Sequence, residues 1–213
     1  MVIHDGIVPD LNAAAGVRLT AEVYREDLLK RRWLADGVDC WKLERAQHFT
    51  EAGFASWDAF AAGEWGYSME LYEALRPELA RLADEQALHR SYFHRVRVVE
   101  EPLCAYMLWE LHCFRVRAER SESIRVIDAG QVADLEAGGP LPELVVVCGR
   151  TLYQVLYTDD GVPDGAIRFT DQRVVAAHEE FVRSLYGAGE EFTSYFERAV
   201  APRPVPGDLT VPA

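Results

Sequence analysis

One row of side chains in the middle of the chain combines residue types that could carry acid–base chemistry. Tyr106, Glu110 and Arg117 follow one another at helical spacing, so they share one side of a predicted helix. A buried glutamate beside a tyrosine could act as a general acid or base. The alternative is a boundary row whose charged members pair with each other or with another element. We favour this structural interpretation, because buried charges in proteins are usually paired.

A second group of candidate residues lies on a predicted strand beside His94. Arg95 and Arg97 alternate with two valines, which places both guanidinium groups on one face of the strand. Together they could bind a carboxylate or a phosphate as a ligand. The chain contains 35 Asp and Glu residues, so pairing of these arginines with acidic neighbours is the favoured expectation.

Asp128 ends a second predicted strand, where open α/β sheets often place functional groups. It could equally cap the turn that follows. As an active site, Arg97, Tyr106, Glu110 and Asp128 would line one pocket, with the tyrosine as proton donor and a carboxylate as base. As a structural cluster, Asp128 would instead neutralise an arginine in a closed network. We favour the structural outcome, in which Arg97→Ala destabilises the fold.

No cofactor or metal motif accompanies these residues. The sequence contains no P-loop, GxGxxG, GxSxG or HExxH pattern. Four aspartates between positions 159 and 171 are close enough in sequence to suggest a metal-binding loop, namely Asp159, Asp160, Asp164 and Asp171. Their spacing does not match a calcium-binding loop, and turns explain it better. The cysteines form no CxxC pair, and we expect them to be buried, reduced thiols. We therefore expect no metal and no cofactor, and an enzyme is not the favoured class.

The candidate residues belong to a predicted strand–helix–strand unit. The strand covers 94–99, the helix begins at about Pro102 and runs to 118, and the second strand covers 124–128. Two parallel strands joined by a helix form a βαβ crossover. In the helix, Leu111 lies in the middle of an apolar stripe and should be buried.

The remaining segments predict further helices and strands around this unit. Thr20 should cap a helix that runs to about Leu34, and Pro77 should kink or divide a helical stretch over 68–89. The other predicted helices cover 57–62, 171–186 and 190–199, the second with Thr170 as its N-cap and Gly187 after its end. The other predicted strands cover 38–43, 144–148, 152–157 and 166–169. The fold class is thus α/β (mixed α+β), with a roughly six-stranded mixed sheet, a C-terminal antiparallel meander and helices on both faces.

Length and charge limit the classes of partner. The 213 residues suggest an N-terminal helical extension over 1–37 without clear periodicity in 1–17, and an α/β domain over 38–200 with a helical subdomain near 51–90. The Pro-rich residues 201–213 should be a disordered tail. A net charge of −13 disfavours binding to nucleic acid or to an anionic membrane. The sequence shows neither a signal peptide nor a membrane span, which favours the cytoplasm.

Several stretches resemble an uncharacterised actinobacterial family of small acidic α/β proteins that carry a domain of unknown function. They are HRVRVVEEPLCAYMLWELHCFRVRAERSESIRVID, LPELVVVCGRTLYQVLYTDDGVPDGAIRFTD, CWKLERAQHF and SWDAFAAGEW, and the resemblance covers about residues 38–200. Members of that family are often encoded beside helix-turn-helix regulators and small partner proteins. The resemblance implies an accessory or regulatory role, and it assigns no catalytic residue.

The favoured function is therefore that of a soluble accessory protein that binds another protein. The partner could be a helix-turn-helix regulator, a biosynthetic enzyme or a second copy of the chain. The alternative is an enzyme or small-molecule binder that uses the four-residue pocket by general acid–base chemistry. An exposed apolar patch near the N-terminal region would favour the first function, and convergence of the four side chains would favour the second.

Overall fold

The computed structural model describes residues 8–11 and 14–205, which form a mixed sheet with helices on both faces. The strands are β1 (Val17–Leu19), β2 (Cys40–Glu44), β3 (Phe93–Val99), β4 (Glu122–Asp128), β5 (Glu143–Val147), β6 (Thr151–Tyr157), β7 (Pro163–Phe169) and β8 (Glu190–Glu191). The helices are α1 (Ala21–Arg31), α2 (Ala55–Ala61), α3 (Trp65–Glu73), α4 (Arg76–His89), α5 (Ala105–Ala118), α6 (Gln172–Ala188) and α7 (Phe192–Tyr195). A π-helical turn over Phe196–Val200 follows α7.

The eight strands are ordered β1-β7-β6-β5-β2-β3-β4-β8. Strand β3 pairs in parallel with both β2 and β4, whereas β5, β6 and β7 form an antiparallel meander. The predicted fold class, the crossover from β3 through α5 to β4, and the meander are therefore confirmed. The six predicted strands are all present, and the two additional strands, β1 and β8, are the edges of the sheet.

The helix of the crossover begins later than the sequence predicted. Pro102 lies in the turn before α5 rather than at the first helical position, and the Glu101–Pro102 peptide is cis. The N–H of Leu103 donates to the Glu101 side chain at 3.2 Å, and Cys104 is the extended N-cap. Leu111 is fully buried in the middle of α5, as predicted.

The predictions for the other helix ends have mixed outcomes. Thr20 caps α1, and Pro77 lies at the start of α4, so the stretch is divided into two helices rather than kinked. Asp171, not Thr170, caps α6, because its carboxylate accepts the N–H of Arg173 at 2.8 Å. Helix α6 also continues through Gly187 to Ala188. The predicted helix over 190–199 begins instead with β8, because these two residues pair with β4.

The termini divide into described and undescribed parts. Strand β1 lies inside the predicted N-terminal extension and pairs with β7, so the prediction of an irregular 1–17 is wrong at Val17. Residues 1–7, 12–13 and 206–213 lie outside the described residues, and with them most of the predicted disordered tail. Among the helices that the structure describes, none has the length and apolarity needed to span a membrane.

The two faces of the sheet have different coverings. We call the face under α6 the α6 face; its core is apolar and includes Leu43, Val96, Val98, Val182 and Leu185. We call the opposite face the α5 face; α5 and α7 cover it at β3 and β4, and α1 covers it at β6 and β7. Helices α2 to α4 pack outside α5, and the candidate residues other than Asp128 lie beneath this helical layer.

Candidate functional site

The register of the parallel strands gathers charged side chains on the α5 face. Lys42 is opposite Arg95, and Glu44 is opposite Arg97, across β2 and β3. Because side chains alternate along a strand, these four residues point to one face while Leu43 and Val96 point to the other. The prediction that Arg95 and Arg97 share a face is confirmed.

Arg95 is the centre of the first charged cluster. Its Nε donates to Glu122 Oε2 at 2.8 Å, and its Nη1 donates to Glu44 Oε2. The second oxygen of Glu122 accepts from Arg117 Nη1 at 2.7 Å, and the second oxygen of Glu44 pairs with Lys42. Three cations therefore share two carboxylates, and both carboxylates are buried.

The electrostatics of this cluster keep both carboxylates ionised. Burial by itself raises the pKa of Glu122, but the charges of Arg95 and Arg117 outweigh burial and lower the pKa to about 2. Burial likewise opposes ionisation of Glu44, whose pKa is lowered because Arg95 and Lys42 lie beside it. The acidic neighbours favoured from the sequence as partners of the arginines are therefore present.

Arg97 is the centre of the second cluster, and its donors are committed inside the protein. Its Nε donates to Glu110 Oε2 at 2.7 Å, its Nη1 to the Val98 carbonyl at 3.3 Å, and its Nη2 contacts Met107 Sδ at 2.8 Å. Tyr106 Oη lies 3.1 Å from Glu110 Oε1 and 2.7 Å from Glu51 Oε1. Arg97 has no exposed surface.

Burial dominates the electrostatics of the second cluster. Burial raises the pKa of Glu110, and the neighbouring charge of Arg97 offsets only part of this effect. Burial and the same carboxylate raise the pKa of Tyr106, so the hydroxyl remains protonated and donates to Glu51 or Glu110. This arrangement has the components of a general acid, but Tyr106 and Glu110 are both buried.

Asp128 is not part of either cluster. Its carboxylate accepts the N–H of Gly130 at 2.8 Å, and Gln131 Oε1 accepts the N–H of Asp128 at 3.1 Å. It therefore caps the turn after β4, which was one of the two interpretations of the sequence. The prediction that Asp128 neutralises an arginine in a closed network is wrong. The carboxylates that pair with Arg95 and Arg97 belong instead to Glu44, Glu110 and Glu122.

A cavity of about 220 Å³ adjoins both clusters. Its lining comprises Lys42, Glu44, Glu51, Phe54, Tyr72, Arg95, Trp109, Glu110, Cys113, Phe114 and Arg117. Of the residues singled out from the sequence, Arg95, Glu110 and Arg117 line this cavity, whereas Arg97, Tyr106 and Asp128 do not. The sequence analysis missed Lys42 and Glu44, although charged residues alternating with Trp41 and Leu43 on β2 give the same signal that identified the arginines.

The cysteines contribute one thiol, that of Cys113, to the lining of the cavity. Cys40, Cys113 and Cys148 are buried and free, as expected, whereas Cys104 is free but exposed at the start of α5. Within residues 8–11 and 14–205, no three His, Cys, Asp or Glu side chains are arranged to hold a metal ion. The polar groups that line the cavity are ammonium, guanidinium, hydroxyl and carboxylate groups, together with the thiol of Cys113 and the indole of Trp109.

Fold and site together define a mixed α/β protein with a charged cavity beneath a small helical layer. The chain belongs to the family described as domain of unknown function (DUF6879), whose family model matches residues 29–197. No curated protein matches the chain. The chain is similar to a solved structure of TrmBL2, an archaeal chromatin protein that shows a novel mode of DNA binding. That similarity has 11% identity and a TM-score of 0.38, and it covers 85% of this chain but only 56% of TrmBL2. At this TM-score it supports no conclusion about this protein.

Proposed function

We propose that this protein is a cytoplasmic accessory or regulatory protein that acts by binding another protein. The observation that supports the proposal is a set of exposed apolar side chains where α1 and α4 end. We call this set the junction patch; it consists of Leu29, Leu34, Leu88 and Tyr92. Leu88 is 77% exposed and Leu29 is 64% exposed. Removing such large apolar side chains from water is favourable in free energy, so their exposure is typical of a surface that a partner covers.

Contacts between the two helix ends hold the junction patch together. The Trp33 ring stacks on His89 at a centroid distance of 4.7 Å, and the Gly37 N–H donates to the His89 carbonyl at 2.8 Å. Leu34 and Leu88 are the chain neighbours of this stacked pair, Leu29 lies in the last turn of α1, and Tyr92 follows the end of α4. The four exposed side chains are therefore close in sequence to one contact between the two helix ends, and apolar anchors of this kind are what a protein interface uses.

The partner that fits this surface is a protein that contributes apolar side chains of its own. The family resemblance suggests an actinobacterial helix-turn-helix regulator or a biosynthetic enzyme encoded nearby, and a second copy of the chain is the remaining candidate. Direct binding to nucleic acid or to a membrane is not proposed, because the net charge is −13. The junction patch lies within the residues that the family model matches.

An affinity purification with a matched control tests the proposal. Leu29→Asp with Leu88→Asp should abolish retention of a partner that the parent protein retains at stoichiometric level from cells that produce both. Val162→Asp is the control, because Val162 is 43% exposed in the loop before β7 and lies outside the patch. Size-exclusion chromatography of the parent alone tests whether the partner is a second copy of the chain. The proposal would be refuted if the parent, the double variant and the control retained the same proteins and all had the same oligomeric state.

The general acid–base pocket receives less support. Only Glu110 of its four proposed residues lines the cavity, Arg97 is sealed, and Asp128 caps a turn. An enzymatic mechanism that needs all four side chains to meet is not assembled in this structure.

A further inference from the structure

The cavity beside the Arg95 cluster is lined by three chemically different groups of side chains. Phe54, Trp109 and Phe114 are aromatic; Lys42, Arg95 and Arg117 form the cationic wall; and Glu44, Glu51 and Glu110 are acidic. The Arg95 guanidinium lies over the Phe114 ring, 4.6 Å from its centroid, so the aromatic and cationic side chains adjoin each other. Aromatic side chains beside fixed polar groups are usual in a small-molecule site, in which few polar groups orient a largely apolar ligand. This site is separate from the junction patch, and the inference does not depend on that patch.

The cationic wall retains hydrogen-bond donors that the protein does not use. Arg95 donates through Nε and Nη1, and Arg117 donates through Nε to Tyr72 Oη at 2.5 Å and through Nη1 to Glu122. Neither Nη2 group forms a hydrogen bond to a residue that the structure describes. Because Tyr72 accepts from Arg117, its own O–H also remains available to donate.

The carboxylates of the same cluster are already occupied. Glu44 uses one oxygen for Arg95 and the other for Lys42, and Glu122 uses one for Arg95 and the other for Arg117. Glu51 and Glu110 also line the cavity, so the cations there face as many carboxylates, and a ligand would be held by the unused hydrogen-bond donors rather than by an excess of positive charge. Since Arg95 and Arg117 bind opposite oxygens of Glu122, they lie close enough together to share a second carboxylate.

We propose that this cavity binds a small carboxylic acid with an apolar body. The ligand carboxylate accepts hydrogen bonds from Arg95, Arg117 and Tyr72 near Lys42, and the body of the ligand packs against Phe54, Trp109 and Phe114. A volume of about 220 Å³ admits a ring or branched chain with its acid group but not a dinucleotide. Glu51 also lines the cavity and could take the ammonium group of an amino acid.

Isothermal titration calorimetry on the full chain tests the ligand class. Phenylacetate, benzoate and isovalerate are the carboxylate probes, and phenylacetamide is the neutral analogue of the first. We expect at least one carboxylate to bind, and the amide to bind at least tenfold more weakly than phenylacetate. L-phenylalanine, which carries an ammonium group beside its carboxylate, is compared with phenylacetate. Tighter binding of L-phenylalanine would show that Glu51 binds the ammonium group, and tighter binding of phenylacetate would show that it does not.

Three variants locate the bound carboxylate. Arg117→Gln and Lys42→Met should each weaken binding at least tenfold, which is about 1.4 kcal/mol. Arg115→Gln should bind like the parent, because Arg115 lies on the same helix but pairs with Glu73 outside the cavity. Melting curves show whether each variant folds. If Arg117→Gln does not fold, the binding measured with Lys42→Met tests the proposal instead. Absence of binding by every carboxylate at millimolar concentration, equal binding of the amide, or full affinity in Lys42→Met would overturn the proposal.

Discussion

Strands β2 and β3 present two opposite kinds of interior. Toward α6 they contribute Leu43, Val96 and Val98 to a core that is mainly apolar, with His178 of α6 as a buried polar exception. Toward α5 the intervening residues of the same strands are Glu44, Arg95 and Arg97, all of them buried. Folding requires apolar burial, which both faces supply. Burying charges costs desolvation free energy, and replacing a buried ion pair by apolar residues is often neutral or stabilising. The charges of the α5 face therefore point to a role beyond stability.

The largest expected effect comes from breaking the second ionic cluster. Arg97→Ala leaves the Glu110 carboxylate buried without its cation and should cost about 3–5 kcal/mol of unfolding free energy. For a chain of this size, the melting temperature should fall by roughly 6–20 °C. Thermal unfolding followed by circular dichroism measures the change.

A paired variant sharpens this result. Arg97→Met combined with Glu110→Gln removes both charges, so much of the lost stability should return. If Arg97→Ala melts like the parent, the cluster contributes nothing to the fold, and the contrast between the two faces has no energetic basis.

A smaller effect is expected from truncating apolar residues on either face. Leu111 on α5 and Leu185 on α6 are both fully buried, so Leu111→Ala and Leu185→Ala should each cost about 2–5 kcal/mol. Similar losses in chemical denaturation would show that the apolar parts of the two faces contribute alike. Unchanged stability of Leu111→Ala would contradict the burial of that stripe.

The sequence predicts the apolar part of this comparison better than the charged part. Periodicity along β3 and β4 identifies their faces, and the six central strands are long enough to show alternation or an unbroken apolar run. The edge strands β1 and β8 contain three and two residues, too few for any period. Their pairing depends on β7 and β4, which the local sequence does not reveal.

The candidate site was predictable only in part, for the same physical reason. Arg95 and Arg97 stand out because charges on an otherwise apolar strand are unusual. Their partners come from β2, α5 and β4, so no spacing in the sequence connects them. Tyr72 reaches the cavity because α3 packs over α5, a tertiary arrangement without a sequence signal. Pro102 was misplaced because a proline before a helix fits both a first helical residue and a preceding turn.

A pH series tests the ionic face without disrupting it. Burial and the charge of Glu44 raise the pKa of Glu143 from 4.5 to about 7. Its contribution to stability is therefore fully present below about pH 4.5 and is lost as the pH rises through 7. Glu143→Gln keeps an oxygen that can accept the N–H groups of Arg45 and Ala46, at 2.8 and 2.7 Å in the parent.

We expect the melting temperature of the parent to fall relative to that of Glu143→Gln between about pH 5 and pH 8. Below this range the parent should lose stability for another reason, because Glu122, with its pKa lowered to about 2, becomes protonated as the pH falls from 4.5 toward that value. Melting curves of parent and variant that run parallel from pH 5 to 8 would contradict the raised pKa of Glu143.

The smallest expected effect is the absence of DNA binding, and it follows from where the cations lie. Arg95, Arg97 and Arg117 are paired with carboxylates on the α5 face, and the net charge of the chain is −13. Duplex DNA needs a basic surface that replaces its counterions, and a cavity of about 220 Å³ does not admit a duplex. A gel-shift assay at about 150 mM salt should therefore show no retarded band at micromolar protein. A retarded band that persists at this salt and weakens in Arg117→Gln would mean that the α5 face opens and releases its cations. The two faces would then differ in mobility as well as in charge.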